Sequence, residues 1–152
     1  MKNTNEMKLE FDSKSCNEGF ARVSVAAFLT QLDPTLEEIS DVKTAVSEAI
    51  TNSIIHGYED GIHKVSVACV IEGRQFTVTV TDTGSGIENI EKAMEPLFTT
   101  KPELERSGMG FAFMEAFMDE VFVTSKLGEG TTVVMKKTIG DQDPTGDTRK
   151  EE

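Results

Sequence analysis

The chain has 152 residues, of which 27 are acidic and 15 are basic, and its formal net charge at pH 7 is −12. This length predicts one domain with its own hydrophobic core, and the strong negative charge argues against direct binding to nucleic acid or anionic membranes while it favours basic protein partners. Because no run of about 18 apolar residues occurs and the first residues lack the apolar core of a signal peptide, we expect no membrane span and a cytoplasmic location.

The first third of the chain predicts a strand followed by a helix. Residues 7–12 alternate apolar and polar side chains, which is typical of a half-buried strand. Ser15 with Glu18 three positions later forms a capping-box pattern, and apolar residues at helical spacing then predict a helix that ends near Leu32.

A second, longer helix is predicted directly afterwards. Asp33 suits the cap position and Pro34 the first helical turn. The helix should run to about His56 and stop at Gly57. One narrow apolar stripe marks its buried side and comprises Ile39, Val42, Val46, Ile50, Ser53 and Ile54.

The middle of the chain changes to a β pattern and then loses periodicity. The runs "KVSVACVI" and "QFTVTVTD" predict two antiparallel strands joined by a hairpin at residues 72–74. A short helical segment is expected at residues 87–94. The stretch "EPLFTTKPELERSGMG" predicts a long functional loop, because structureless loops of this length are uncommon in compact domains unless they have a role.

The last part predicts a helix over "FAFMEAFMDE" and a closing hairpin of "VFVTSK" and "TTVVMKKT". This order of elements predicts an α+β fold, a two-layer α/β sandwich in which one mixed or antiparallel sheet has helices on one face. We assign residues 1–140 to this domain and residues 141–152 to an acidic, disordered tail. Cys16 and Cys69 lie far apart without a CxxC spacing, so we interpret both as packing residues and expect neither a disulfide nor a zinc site.

Four short patterns carry polar residues or glycines at places where ligands commonly bind. Glu48 and Asn52 lie on one side of the second helix, opposite its apolar stripe, which alone is typical of a solvated face. "DTGSG", which begins at Asp82, directly follows a strand and alone indicates a tight turn. "SGMGF" places two glycines before a helix, where bare N–H groups can bind phosphate, and "GEGTT" alone indicates a hairpin turn.

In this order and spacing, the four patterns resemble the N, G1, G2 and G3 boxes of the GHKL ATPase superfamily, whose nucleotide-binding domain is called the Bergerat fold. The flanking "ARVSVAAFL", "EAITNSIIHGY" and "PLFTTKPELERSGMGF" resemble the anti-sigma serine kinases of spore-forming bacteria, and the resemblance covers roughly residues 7–139. It implies a homodimeric anti-sigma factor that inhibits a sporulation sigma factor when ATP is bound. It also implies a protein-serine kinase that uses ATP and Mg²⁺ to phosphorylate an anti-anti-sigma factor.

The resemblance assigns roles that agree with the chemistry of the residues. Asn52 would coordinate Mg²⁺ through its carboxamide oxygen, since this ion keeps several waters and needs few protein ligands. Glu48 would accept the proton of the attacking serine hydroxyl. Asp82 would accept a hydrogen bond from the adenine amino group, and Gly84 and Gly86 would let the backbone approach the base.

The lid and the last hairpin supply the remaining expected contacts. Arg106, in preference to Lys101, would neutralise charge on the transferred phosphoryl group. The other expected nucleotide contacts are Thr99, Ser107, Gly108, Met109, Gly110 and Thr131. Thr131 is equally well explained by β propensity. In the resembling family the arginine that matches Arg22 lies in the partner-binding surface, whereas from the residues alone it could be an ordinary surface side chain.

Alternative functions stay open at this point. They are a general-stress anti-sigma kinase, a nucleotide-gated sigma-binding module without kinase turnover, and the detached catalytic domain of a histidine kinase. Glu48 argues against the binding module because a pure binder does not need a base. The histidine kinase domain is least favoured, because no helical hairpin with a phosphoacceptor histidine precedes the first strand.

Overall fold

The computed structural model describes residues 3–57, 61–84 and 110–140. These ranges form five strands, namely β1 Thr4–Asp12, β2 Lys64–Glu72, β3 Gln75–Asp82, β4 Glu120–Lys126 and β5 Gly130–Thr138. They also form three α-helices, namely α1 Cys16–Leu29, α2 Leu36–Asn52 and α3 Gly110–Phe117. A 3₁₀ turn, Thr30–Leu32, follows α1, and a π-helical turn, Ser53–Gly57, continues α2.

The strands form one sheet in the order β1-β2-β3-β5-β4, in which each neighbouring pair is antiparallel. The expected α+β sandwich is therefore confirmed, and its sheet is antiparallel rather than mixed. Alternate residues of β2 and β3 point to the helical layer and are fully buried there, namely Val65, Val67, Cys69, Ile71, Phe76, Val78 and Val80.

The central helix of the second layer is α2, which packs against both α1 and α3. Its apolar stripe faces the sheet, and Val42, Val46 and Ile50 are fully buried, as the sequence predicted. None of the helices in the described ranges is both long enough and apolar enough to cross a membrane. The two-layer packing places the end of α2 beside the end of β3, and this contact forms the candidate site.

The predicted cap of α1 is wrong. Ser15 occupies the cap position, but its side chain makes no capping hydrogen bond because its backbone is already in the right-handed helical region, at φ −55 and ψ −32. Glu18 instead turns along the helix, where its Oε2 lies 3.5 Å from Nε of Arg22. This (i, i+4) ion pair takes the place of the expected capping box.

The predicted cap of α2 is wrong by two residues. Thr35, at φ −74 and ψ 166, is the cap residue, and its hydroxyl accepts a hydrogen bond from the Glu38 backbone N–H at 3.0 Å. The Glu38 carboxylate returns a bond to the Thr35 N–H at 2.9 Å, which completes a capping box. Asp33 has a left-handed backbone with φ 50 and ends the preceding 3₁₀ turn instead.

The two cysteines differ in their surroundings. Cys69 is buried as expected, and burial raises the pKa of its thiol to about 12. Cys16 is exposed, so its interpretation as a packing residue is wrong, because the first residue of α1 lies on the solvent side of the helix. The predicted helical segment at 87–94, most of the long loop and the tail at 141–152 lie outside the described residues.

Candidate functional site

The candidate site lies where β3 ends, β5 begins and α2 gives way to the π-helical turn. Asp82 is the last residue of β3, and its Cα partner across the sheet is Thr131 near the start of β5. Asn52 is the last residue of α2, and the π-helical turn after it contacts both strands. Three segments that are distant in the sequence therefore meet at one end of the sheet.

Asp82 is the buried polar centre of this site, since only 5% of its surface is exposed. Its Oδ1 accepts a hydrogen bond from the Gly84 N–H at 2.9 Å. The Ser53 hydroxyl and the Thr131 backbone N–H also donate to this carboxylate. Burial raises the pKa of Asp82, and the three donors oppose this shift without cancelling it. A buried carboxylate with these donors is a strong acceptor for one further N–H group from a ligand.

Gly130 allows β5 to approach Asp82. Its φ is +102, and a Cβ at this position would overlap the Asp82 carbonyl oxygen and lie 2.6 Å from Cα of Thr83. Any side chain here would push the start of β5 away from the end of β3. Gly130 thus has a structural role in the site, whereas the pattern GEGTT alone indicated a hairpin turn and only the resemblance matched it to the G3 box.

The Thr131 hydroxyl points to β4 and contacts the Ser125 hydroxyl at 2.8 Å. The Ser125 hydroxyl also donates to the Gly130 carbonyl oxygen at 3.0 Å, so Thr131 is the donor in the contact between the two hydroxyls. The lone pairs of the Thr131 hydroxyl can still accept a hydrogen bond. The structure therefore places Thr131 beside Asp82, and the direct contact with Asp82 is made by its backbone.

Glu48 lies one turn before Asn52 and lines an open cavity of about 400 Å³ between α1 and α2, which we call the α1–α2 groove. Arg22 of α1 lines the same groove, so the expected base and the expected partner-binding residue face one space. The remaining lining residues belong to α2, namely Leu36, Ile39, Ser40, Lys43, Thr44 and Ser47.

Asn52 has a polar atom that needs a further partner. Its amide Nδ2 is buried and has no hydrogen-bond partner among the described residues. In the described ranges no group of three or more histidine, cysteine or acidic residues could hold a metal ion. A single carboxamide fits Mg²⁺ that is held mainly by phosphate oxygens and water, and it does not fit a protein cage for a metal.

Several predicted site residues lie outside the described ranges, namely Gly86, Thr99, Lys101, Arg106, Ser107, Gly108 and Met109. Gly110 is described as the first residue of α3. Ser53 was not predicted as a site residue. The available signal was a hydroxyl on an otherwise apolar stripe, which requires a buried partner.

Comparisons with known proteins agree with this geometry. Residues 16–137 match the family of the histidine kinase-like ATPase domain. A crystal structure of the RsbU and RsbW domains of Rv1364c from Mycobacterium tuberculosis matches with a TM-score of 0.65 and 20% identity, over 89% of this chain and 32% of that longer chain. This similarity supports the fold alone. The fold and the site thus define a histidine kinase-like ATPase domain of the GHKL class.

Closer relatives share the sequence over nearly the whole chain. The anti-sigma F factor of Clostridium acetobutylicum is 62% identical over 88% of this chain and 93% of its own length. The factor of Clostridium kluyveri is 63% identical over 89% and 95%, and that of Anoxybacillus flavithermus is 61% identical over 89% and 93%. The chain belongs to the anti-sigma F factor family. This confirms the family expected from the stretches that flank the four motifs.

Proposed function

We propose that the protein is an anti-sigma factor that binds and inhibits sigma F when ATP is bound, and a kinase that phosphorylates a serine of an anti-anti-sigma factor. The observation that carries this proposal is the buried acceptor Asp82 beside the end of the helix that bears Glu48 and Asn52. Membership of the anti-sigma F family and of the ATPase domain class supports the same activity.

Base recognition is assigned to Asp82. Its carboxylate is fixed by three protein donors and accepts a hydrogen bond from the adenine amino group. Guanine presents a carbonyl oxygen at the same position, and two acceptors that face each other in a buried site repel. Asp82 therefore selects ATP over GTP.

Phosphoryl transfer is assigned to the polar face of α2. Mg²⁺, when bound, neutralises phosphate charge, and Asn52 is the side chain that would hold it. Glu48, one turn away in the α1–α2 groove, accepts the proton of the incoming serine hydroxyl. Arg106, in preference to Lys101, stabilises charge on the transferred group, and the glycine loop that ends at Gly110 binds phosphate through backbone N–H groups.

Partner binding is assigned to the α1–α2 groove. Because Arg22 and Glu48 line one open cavity, a protein that contacts Arg22 is placed to bring a serine to Glu48. Arg22 and Lys43 outnumber the single carboxylate of Glu48 in the groove of an otherwise acidic chain, and this favours acidic residues on the part of the partner that enters the groove.

A homodimer is the proposed assembly, and the open face of the sheet supports it. In contrast to the net charge of −12 for the chain, five acidic and four basic side chains balance on this face, namely Glu6, Lys8, Glu10, Asp12, Lys64, Glu72, Glu120, Lys126 and Lys136. A second copy of this face meets little electrostatic repulsion. Phe122, which is 52% exposed on the same face, would pack in the interface. Sedimentation should show a monomer for Phe122→Glu and a dimer for Leu127→Glu, whose side chain is exposed in the hairpin turn instead.

The test of the kinase is transfer of labelled phosphate from Mg-ATP to an anti-anti-sigma protein. Glu48→Gln keeps the size of the side chain and removes the base, so transfer should fall at least about 100-fold while ATP binding persists. Glu37→Gln makes the same change of charge in the first turn of the same helix and should leave transfer unchanged. Binding of ATP without transfer by the unmodified protein would favour the nucleotide-gated binding module.

A further inference from the structure

Ser53 is a polar side chain on the buried face of a helix. It continues the stripe of Val46 and Ile50, and only 5% of its surface is exposed. An unpaired hydroxyl in such surroundings costs about 1–3 kcal/mol. Ser53 avoids this cost because its hydroxyl donates a hydrogen bond to the Asp82 carboxylate.

The three donors to Asp82 come from different layers of the fold. The Gly84 N–H belongs to the turn after β3, and the Thr131 N–H belongs to β5, so both donors are backbone groups on the sheet side. Ser53 is the side-chain donor from the helical layer, at the point where α2 changes to the π-helical turn. A π-helical turn alters the direction of side chains relative to a continued α-helix and frequently marks functional sites.

We propose that Ser53 is the positioning residue of the base site, which orients the Asp82 carboxylate so that one free lone pair faces the amino group of a 6-aminopurine. This inference rests on the proposed role of Asp82 in binding the base. Two oxygens of a carboxylate accept about four hydrogen bonds, so the three donors among the described residues leave about one position for the ligand. The two backbone donors hold the carboxylate from the sheet side, and Ser53 holds it from the helix side.

The hydrogen bond also links the two parts of the site. Ser53 directly follows Asn52, so the residue that orients the base acceptor is bonded in sequence to the residue assigned to the metal. A movement of the Asp82 carboxylate is thereby coupled to the end of α2. This coupling predicts that Ser53 affects ligands that carry the amino group and has little effect on ligands that lack it.

The experiment measures the affinity of the full chain for ADP and for purine riboside 5′-diphosphate, which lacks the amino group, by titration calorimetry with and without Ser53→Ala. For ADP we expect about tenfold weaker binding in the variant, the loss typical of a hydrogen bond to a charged group. For purine riboside 5′-diphosphate we expect less than a twofold change. Alanine suits an apolar helical stripe, and circular dichroism confirms that the variant is folded.

The control is Ser24→Ala, which removes a hydroxyl of α1 that donates to the Phe20 carbonyl oxygen at 2.9 Å. It should bind both ligands as the unmodified protein does. Equal weakening of both ligands by Ser53→Ala, or no weakening of either, overturns the positioning role. If the unmodified protein does not prefer ADP over purine riboside 5′-diphosphate, the role of Asp82 in base binding fails first, so the two failures are distinguishable.

Discussion

Replacing Gly130 with alanine tests how closely β5 must approach β3 to form the site. The backbone at φ +102 strains any residue with a side chain, at a cost of about 1–3 kcal/mol. In addition, the new Cβ would lie 2.6 Å from Cα of Thr83 and 2.8 Å from the Asp82 carbonyl carbon, and these atoms belong to the backbone and cannot rotate away. Overpacking of this kind costs about 1–3 kcal/mol more, so the free energy of unfolding should fall by about 2–6 kcal/mol.

Urea unfolding followed by circular dichroism measures this loss, because the chain has no tryptophan. Gly61→Ala is the matched control, since Gly61 has nearly the same φ of +104, but no atom of the described residues lies within 4 Å of the place that a Cβ would take, so only the strain remains. We also expect Gly130→Ala to weaken ADP binding, because the shift of β5 moves the Thr131 N–H away from the Asp82 carboxylate. Equal losses of stability in the two variants, together with unchanged ADP binding, would refute the reasoning.

Three further predictions concern the rest of the fold. At pH 8 a maleimide reagent should modify Cys16 at once and Cys69 only on unfolding, because the pKa of the buried thiol is about 12; rapid loss of both thiols by mass spectrometry would contradict this. Lys137→Met should lower the free energy of unfolding by about 1.5–3 kcal/mol, because Nζ donates a 2.8 Å hydrogen bond to the last carbonyl of α3, and an unchanged urea midpoint would refute that role. Thr35→Ala should cost about 1 kcal/mol and Ser15→Ala almost nothing, since only the first side chain caps a helix; equal thermal shifts would count against the assigned caps.

The elements that the sequence predicted well are those whose signal is local. The stripe of α2 and the alternation in β2 and β3 each follow from the period of one element, so both appear as predicted. The hairpin at Gly73 is equally local, because its φ of +63 suits glycine. The order of the strands depends on tertiary contacts, so the hydrophobic periodicity of the single elements does not predict it.

The caps were less predictable because several nearby residues can occupy each cap position. Ser15 and Asp33 both have suitable side chains, but their backbones are helical and left-handed, respectively, and neither conformation suits a helix cap. Thr35 has the extended backbone that a cap requires. A suitable side chain makes a residue a candidate cap, whereas its backbone conformation decides whether it caps the helix.

In the site, the sequence indicated residues with a motif and missed residues that act through spatial contact. Asp82 and Asn52 belong to recognisable patterns, and the structure brings their segments together. Ser53 matters because of Asp82 in the other layer, and Gly130 matters because of the end of the neighbouring strand β3 in its own sheet; neither contact is close in sequence. A hydroxyl on an apolar stripe was the sequence signal for Ser53, and Gly130 lay in the GEGTT pattern, which did not reveal its contact with β3.

The charge of Asp82 connects the stability of the protein to its ligand. Burial raises the pKa of this carboxyl above its ordinary value of 3.8. A carboxyl group whose pKa is raised on folding favours the folded chain while the group is protonated. This contribution is complete at a pH below the ordinary pKa, and it is lost as the pH rises through the pKa of the folded state. Above the pKa of the folded state, the ionised Asp82 therefore opposes folding, and the Ser53, Gly84 and Thr131 donors offset part of that cost. A nucleotide amino group supplies one more donor to the folded state alone, so adenine nucleotides should stabilise the fold through the same carboxylate that selects them.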